Sequence, residues 1–298
     1  MSVLQDKKAA YHTLGCKLNF AETSSLRDRL ESLGVKTIEK GEQADICIVN
    51  TCSVTDVADH KCRQAIHRLV KQHPGAYVVV TGCYAQLKPD QVANIEGVDV
   101  VLGAEQKGEL MNYLGNLEKH PQGEAITTAA KDIRSFSPSC SRGDRTRYFL
   151  KVQDGCNNFC SYCIIPYARG PVRSEPLEAA VAQARELAAA GYREIVVTGI
   201  EIASWGWDLK NGQSLTDLLE ALCTAVPDVR IRLGSLEPRI ITQDFCQRLS
   251  PFSNLCPQFH LSLQSGSDAV LHRMRRKYDT ARYAQSVALL REWFPGCA

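Results

Sequence analysis

The sequence predicts an α/β protein built as an amino-terminal open parallel sheet of the Rossmann or flavodoxin type, followed by a partial (β/α) barrel. Three observations predict it. Short apolar runs alternate with helical patterns from residue 8 to about residue 117, the signature of strand–helix–strand crossovers. Two of those runs, residues 44–50 and 76–81, are apolar almost without interruption, as strands buried on both faces must be. Beyond residue 147, strand and helix patterns alternate again in four successive units, which is how a barrel or part of one is written.

Taken in order, residues 8–15 read as a strand ending at Cys16. Asn19 then caps a helix with Glu22 in the capping-box position; Leu26, Leu30 and Leu33 form its buried face and Gly34 ends it. The strand over 44–50 runs into Thr51–Cys52. A helix from 57 to 72 turns Cys62, Ile66, Leu69 and Val70 inward and breaks at Pro74–Gly75, and the strand over 76–81 ends at Gly82–Cys83. A short helix over 89–95, a strand over 98–102 and a helix carrying Leu110, Tyr113, Leu114 and Leu117 complete a domain of residues 1–117. Residues 118–146, rich in Gly, Pro, Ser and charge, read as a linker with some extended structure near 125–129. The second domain, 147–298, opens on a strand-like run over 149–155. Ser174 and Pro176 start a helix that Gly191 closes. Strands over 194–198 and 230–234 alternate with a helix over 215–225 and a short one opened by Thr242. A strand over 258–264 precedes a helix that Thr280 caps and that reaches Trp293.

The composition, 44% hydrophobic and 23% charged, is that of a water-soluble globular chain. No apolar run reaches the roughly 20 residues a membrane span needs, and the first residues lack the apolar core of a signal peptide. Thirteen cysteines in such a chain point to metal or redox chemistry in a reducing, cytoplasmic setting rather than to disulfides. A net charge of only +2 gives no broad electrostatic grip on nucleic acid, so any RNA contact must rest on local patches.

Cys156, Cys160 and Cys163 stand in a C-x3-C-x2-C spacing inside GCNNFCSYC. Three thiolates in eight residues suit an iron–sulfur cubane with one iron left open to a ligand; structural zinc, or thiols that only fill a loop, are the alternatives. Zinc normally closes with four ligands, and no fourth Cys or His stands beside this triplet. Cys16, Cys52 and Cys83 each lie directly beyond the carboxyl end of a predicted parallel strand, along the edge where such sheets bind ligands. The three can therefore converge, although any one alone is read as a buried core thiol. Cys47, Cys62, Cys140, Cys223, Cys246, Cys256 and Cys297 are read as core or loop thiols, and no histidine is given a catalytic role. In the run over 258–264, His260, Ser262 and Gln264 alternate with Phe259, Leu261 and Leu263, so a polar face lines the barrel lumen unless this is a solvent-facing edge strand. Glu201, Ser235 and Glu237 fall at strand ends, where barrel chemistry sits. Arg273, Arg275, Arg276 and Lys277 make the strongest basic cluster, either a solvated loop or a contact for a cofactor carboxylate or RNA phosphate.

The segment DGCNNFCSYCIIPYARGPVRS resembles the radical S-adenosylmethionine superfamily. Within it, the segment is similar to the methylthiotransferase branch, and there to the tRNA enzymes acting on N6-threonylcarbamoyladenosine. TLGCKLN, NTCSVT and TGCYAQ resemble the contexts of the three cysteines that hold an auxiliary 4Fe–4S cluster in that family. The resemblance implies two 4Fe–4S clusters, on Cys156, Cys160, Cys163 and on Cys16, Cys52, Cys83, with two S-adenosyl-L-methionine molecules used per turnover. It implies reductive cleavage of one of them to methionine and a 5′-deoxyadenosyl radical, and methylation of the donated sulfur by the other. It places Glu201 where the methionine ammonium is received, Ser235, Glu237 and Gln264 near the ribose or methionine carboxylate, and Tyr162 beside the adenine. The implied partners are a tRNA substrate and an external electron donor such as a flavodoxin or ferredoxin, for a monomer without membrane attachment. Family members are expected to continue beyond residue 298 through two more barrel units and a small β-barrel that binds tRNA. Where Glu175 stands, they usually carry a second arginine. The alternative readings are a methylthiotransferase for isopentenylated adenosine or for a ribosomal-protein aspartate and, more distantly, a two-cluster electron carrier.

Overall fold

The computed structural model describes residues 3–139 and 147–298. The chain forms two compact units, Met1–Arg142 with Ile164–Gly170, and Gly143–Cys163 with Pro171–Ala298. Cys140, expected in a loop, and the last residues of the expected linker lie outside the described residues.

In the first unit the chain runs β1 (Lys8–Thr13), α1 (Lys17–Ser32), β2 (Lys36–Thr37), β3 (Ile46–Thr51), α2 (Asp56–Gln72), β4 (Tyr77–Gly82), α3 (Cys83–Leu87), α4 (Pro89–Ala93), β5 (Val100–Leu102) and, after a 3-10 stretch over Gln106–Tyr113, β6 (Glu124–Ile126). The strands pair in parallel in the order β2-β1-β3-β4-β5-β6. Period-two alternation along β3 sends Ile46 and Ile48 into a core with Leu26 and Leu30 of α1, and Cys47 and Val49 into another with Cys62, Ile66 and Leu69 of α2. The sheet is thus covered on both faces, which is why its strands read as unbroken apolar runs.

Several local expectations are corrected. Cys16, not Asn19, is the N-cap of α1; the Asn19 amide is instead spent on the carbonyls of Leu14 and Thr51 at 2.7 and 3.0 Å. Leu33 is exposed because it is the C-cap, past the last turn that packs on the sheet. The helix expected around Leu110–Leu117 is 3-10 and breaks at Glu109, whose backbone leaves helical geometry directly after Gly108. The extended structure expected near 125–129 is β6, an edge strand of the sheet.

Continuing along the chain come β7 (Tyr148–Lys151), β8 (Gln153–Asp154), α5 (Ile165–Arg169, in the first unit), β9 (Arg173–Ser174), α6 (Leu177–Ala189), β10 (Glu194–Thr198), α7 (Leu215–Ala225), β11 (Arg230–Leu233), β12 (Ser235–Leu236), α8 (Gln243–Leu249), β13 (His260–Leu261), α9 (Asp268–Arg273) and α10 (Thr280–Trp293). In the second unit β11-β10-β7 form a parallel sheet, β12 pairs in parallel with β13, and β8 and β9 pair antiparallel. Parallel strands separated by helices make this a barrel-like arc. A Ser214–Asp217 capping box starts α7. Asp279, not Thr280, caps α10, accepting from the Arg282 amide at 2.7 Å.

The strand expected over 258–264 shrinks to His260–Leu261. Its partner β12 is two residues long, and Tyr278 Oη binds the carbonyls of Ser262 and Leu263 just beyond. Gln264 adopts a positive φ of 61°. His260 and Gln264 are exposed, so the alternation does not build a continuous polar lumen face.

Glu175 is 1% exposed, and its Oε2 is buried without a hydrogen-bond partner among the described residues. Burial pushes its carboxyl up to about 7, against the lowering effect of the Gln183 hydrogen bond and the Lys151 charge. A carboxyl with a raised folded pKa contributes stability that is complete below its ordinary value of 4.5 and lost as pH rises through about 7. Glu175→Gln removes that loss. Its stability relative to the parent is expected to improve by about 2 kcal/mol between pH 5 and pH 8. Denaturant unfolding at the two pH values checks it, and identical pH dependences would refute the assignment.

Candidate functional site

In the first unit the strand register does the positioning. Thr13 of β1 stands opposite Asn50 of β3, and Asn50 opposite Thr81 of β4, so the three neighbouring strands end level. Cys16 follows β1 as the N-cap of α1, Cys52 follows β3 directly, and Cys83 follows β4 as the first residue of α3. Gly15, at φ +103°, lets the chain pass close: a Cβ there would meet Cys52 Cβ at 2.8 Å and its Sγ at 3.0 Å. The loops are tied by Asn19, by Thr51 Oγ1 donating to the Thr81 carbonyl at 2.6 Å, and by Asn50 Nδ2 donating to the Asn19 carbonyl at 3.0 Å. Burial pushes the Cys52 thiol up, and the charges of Cys83 and Cys16 push it the same way. A cationic centre would relieve that penalty at Cys52, because a cysteine ligates as the thiolate.

The buried Arg169 guanidinium of α5, 1% exposed, reaches this edge. Its Nε donates to Cys83 Sγ at 3.4 Å, Nη1 to Glu22 Oε1 at 2.6 Å and Nη2 to Asn19 Oδ1 at 2.6 Å. Lys107 Nζ pairs with the other oxygen of Glu22. Cys62 of α2 sits on Cys52 itself, its Sγ 3.2 Å from the Cys52 carbonyl and 3.4 Å from its amide.

In the second unit the loop after β8 carries Cys156, Cys160 and Cys163, all half-buried. Gly155 and Phe159 take positive φ angles of 72° and 47°, which turn the chain tightly enough to bring the three thiols together. Burial pushes Cys156 up to about 11, with Glu201, Cys163 and Cys160 adding charge repulsion against an amide hydrogen bond from Asn158. Asn158 Nδ2 donates to Glu201 Oε2 at 3.1 Å. Ser161 anchors the loop through its amide to the Met274 carbonyl and its hydroxyl to the Arg273 carbonyl, at 3.1 and 2.9 Å. Arg276 Nη1 donates to Cys160 Sγ at 3.3 Å, and its guanidinium lies 4.9 Å over the Tyr278 ring. A cavity lined by Glu201, Ser204, Trp207, Glu237 and Arg239 opens beside this loop. Burial, then the neighbouring Glu237 charge, pushes the Glu201 carboxyl up to about 7.

Residues 8–103 match the family model described as Uncharacterized protein family UPF0004, and residues 150–297 match the Radical SAM superfamily. The threonylcarbamoyladenosine tRNA methylthiotransferase MtaB of Bacillus subtilis is 39% identical over 298 residues, covering 97% of this chain and 64% of the relative. The MtaB of Aquifex aeolicus is 37% identical over 288 residues, covering 96% of this chain and 70% of the relative. This chain belongs to the radical SAM methylthiotransferase family. The tRNA-2-methylthio-N(6)-dimethylallyladenosine synthase of Porphyromonas gingivalis is 32% identical over 303 residues, 99% of this chain and 65% of that protein. The chain thus spans roughly two thirds of the length of these relatives. Among solved structures, the radical S-adenosylmethionine methyltransferase TsrM from Kitasatospora setae superposes with a TM-score of 0.63 at 16% identity, over 97% of this chain and 68% of that one. The cobalamin-dependent radical enzyme OxsB gives 0.61 at 13%, over 96% of this chain and 48% of that one. These two share the fold.

The chain brings together Cys16, Cys52 and Cys83 in one unit, and Cys156, Cys160, Cys163 and Glu201 in the other. Glu237 faces Glu201 across the cavity and holds Arg239 at 2.9 Å. Ser235 is exposed and hydrogen-bonds His260 Nδ1 at 2.7 Å. Tyr162 is 51% exposed. Arg273, Arg275 and Lys277 are exposed, whereas Arg276 turns inward to Cys160, so the four do not act as one basic patch. No helix among the described residues is long and apolar enough to cross a membrane.

Sequence reasoning missed Arg169, Asn158 and the placing of Cys62. Arg169 and Asn158 stand inside IIPYARG and GCNNFC, so their closeness to the triplet was the available signal. Cys47, Cys223, Cys246 and Cys256 are buried core thiols, and burial pushes Cys47 and Cys223 up to about 12.

Proposed function

We propose that this chain is the catalytic portion of a tRNA methylthiotransferase that converts N6-threonylcarbamoyladenosine beside the anticodon to its 2-methylthio derivative. The observation that carries the reading is the arrival of Cys16, Cys52 and Cys83 at level strand ends of one unit, while the other unit carries a complete C-x3-C-x2-C loop. The donor chemistry fits two 4Fe–4S clusters, since none of the described cysteines is tied up in a disulfide and each triad supplies three sulfurs. A zinc ion normally takes four ligands, whereas a cubane takes one thiolate per iron and is held by three with one iron open.

Cys156, Cys160 and Cys163 would hold one cluster, and Cys16, Cys52 and Cys83 the auxiliary one. When bound, the first supplies the electron that cleaves S-adenosyl-L-methionine, and the auxiliary one the sulfur that a second S-adenosyl-L-methionine has methylated. The chain's own residues position and shield. Glu201, fixed by Asn158, offers its carboxylate to the methionine ammonium, Glu237 lies across the same cavity, and Arg276 neutralises charge at Cys160. Ser235, Gln264 and Tyr162 are assigned to the ribose, carboxylate and adenine sides. A flavodoxin or ferredoxin provides the electron, and the proposed division of labour is a cluster-bearing amino-terminal domain over 1–117 and a radical domain over 147–298. Arg273, Arg275 and Lys277 remain solvent-facing and free to meet tRNA phosphates.

The test is mass spectrometry of tRNA nucleosides from a strain lacking the protein. Loss of 2-methylthio-N6-threonylcarbamoyladenosine, with its unthiolated precursor accumulating, is the expected result. Loss confined to the 2-methylthio derivative of isopentenylated adenosine would assign the second reading, which the similarity to the Porphyromonas gingivalis protein favours.

A further inference from the structure

We propose that Arg169 is a positioning residue of the auxiliary cluster, holding Cys83 in place and setting the cluster's reduction potential through a hydrogen bond to its sulfur. The inference rests on the assignment of Cys16, Cys52 and Cys83 to a cluster. Arg169 lies six residues beyond Cys163, yet its segment Ile164–Gly170 belongs to the first unit. Gly170 pins that segment down: its φ is +72°, and a Cβ there would meet the Ala130 carbonyl oxygen at 2.2 Å. The five-residue helix α5 thereby delivers its last side chain to the sheet edge.

The guanidinium is then fixed in three directions. Nε points at Cys83 Sγ (3.4 Å), Nη1 at Glu22 Oε1 (2.6 Å), and Nη2 at Asn19 Oδ1 (2.6 Å). Only a planar fork of donors makes these three contacts together; a lysine ammonium is a point charge on a flexible stem. Asn19 Oδ1 also stands 3.9 Å from Cys16 Sγ, and Asn19 Nδ2 holds the Thr51 carbonyl that precedes Cys52. One buried cation therefore touches one ligand directly and braces the loops of the other two through a single amide. A hydrogen bond and a positive charge at a ligating sulfur stabilise the reduced, more negative cluster and so raise its potential.

The experiment uses the full chain with Cys156, Cys160 and Cys163 all replaced by alanine, reconstituted anaerobically so that only the auxiliary site can assemble. Iron and sulfide content, electron paramagnetic resonance and the midpoint potential are measured with Arg169 present, as Arg169→Met and as Arg169→Lys. Arg169→Met is expected to lower the reduced-to-oxidised ratio at a fixed potential about tenfold, a shift of about 59 mV for one electron, and to release iron to a chelator at least tenfold faster. Lys107→Met is the control, since it removes a buried cation that pairs with Glu22; its shift is expected to be several-fold smaller. An unchanged potential and iron retention in Arg169→Met, or an equal shift in Lys107→Met, overturns the proposal. If Arg169→Met does not fold, Arg169→Lys decides, because it keeps the charge and loses the fork: an unchanged spectrum and iron retention there overturn the proposal. If the chain with Arg169 intact assembles no cluster, the assignment of the site fails instead, and the proposal with it.

Discussion

Replacing Cys160 by alanine is expected to abolish reductive cleavage of S-adenosyl-L-methionine, whereas Cys52→Ala is expected to leave it largely intact and to stop only methylthio transfer. The reason is the separation of the two triads into two compact units, each with its own sulfurs and its own arginine. A cubane on three cysteines does not survive loss of one, so each substitution should bring iron from about eight to about four atoms per reconstituted chain. The readouts are iron content, 5′-deoxyadenosine and methylthiolated nucleoside, measured in parallel for both variants. Loss of 5′-deoxyadenosine in Cys52→Ala, with the second unit folded and its cluster intact, would show that the triads work as one coupled site.

Gly82→Ala is expected to destabilise the first unit by upwards of about 3 kcal/mol and to empty the site at Cys83. Gly82 has φ +98°, a conformation costly to any residue with a Cβ. The added carbon would lie 2.3 Å from the Thr51 carbonyl oxygen, 2.5 Å from the Thr51 amide nitrogen and 2.5 Å from Asn50 Oδ1. Two of these are backbone atoms of the central strand β3 and cannot swing away. Relief would require β4 to separate from β3 at the point where both deliver a cysteine. Loss of this size is a large fraction of the stability of an ordinary domain. Chemical denaturation followed by circular dichroism, with iron content after reconstitution, checks it. An alanine variant as stable as the parent, with full iron, would mean that the turn relaxes at little cost.

The sequence by itself determined much of this protein. Buried parallel strands write themselves as apolar runs, so β3, β4 and the strand–helix order were legible in residues 44–50 and 76–81. The local spacing of Cys156, Cys160 and Cys163 carried its own chemistry. The strand-end positions of Cys16, Cys52 and Cys83 made convergence the expectation, because parallel strands finish along one edge. Legibility failed where a side chain's use depends on distant packing. Asn19 reads as a helix cap, but the open carbonyls of Leu14 and Thr51 claim its amide. The alternation over 258–264 reads as a long strand, but β12 offers only two residues to pair with. Only the tertiary structure decided that Arg169 meets Cys83, 86 residues away, and that Arg276 leaves its basic run to meet Cys160 across 116 residues. Periodicity reports how a backbone segment buries its own face; which cation finds which sulfur is set by the register of strands and the seating of a five-residue helix, and neither is written in any local run of sequence.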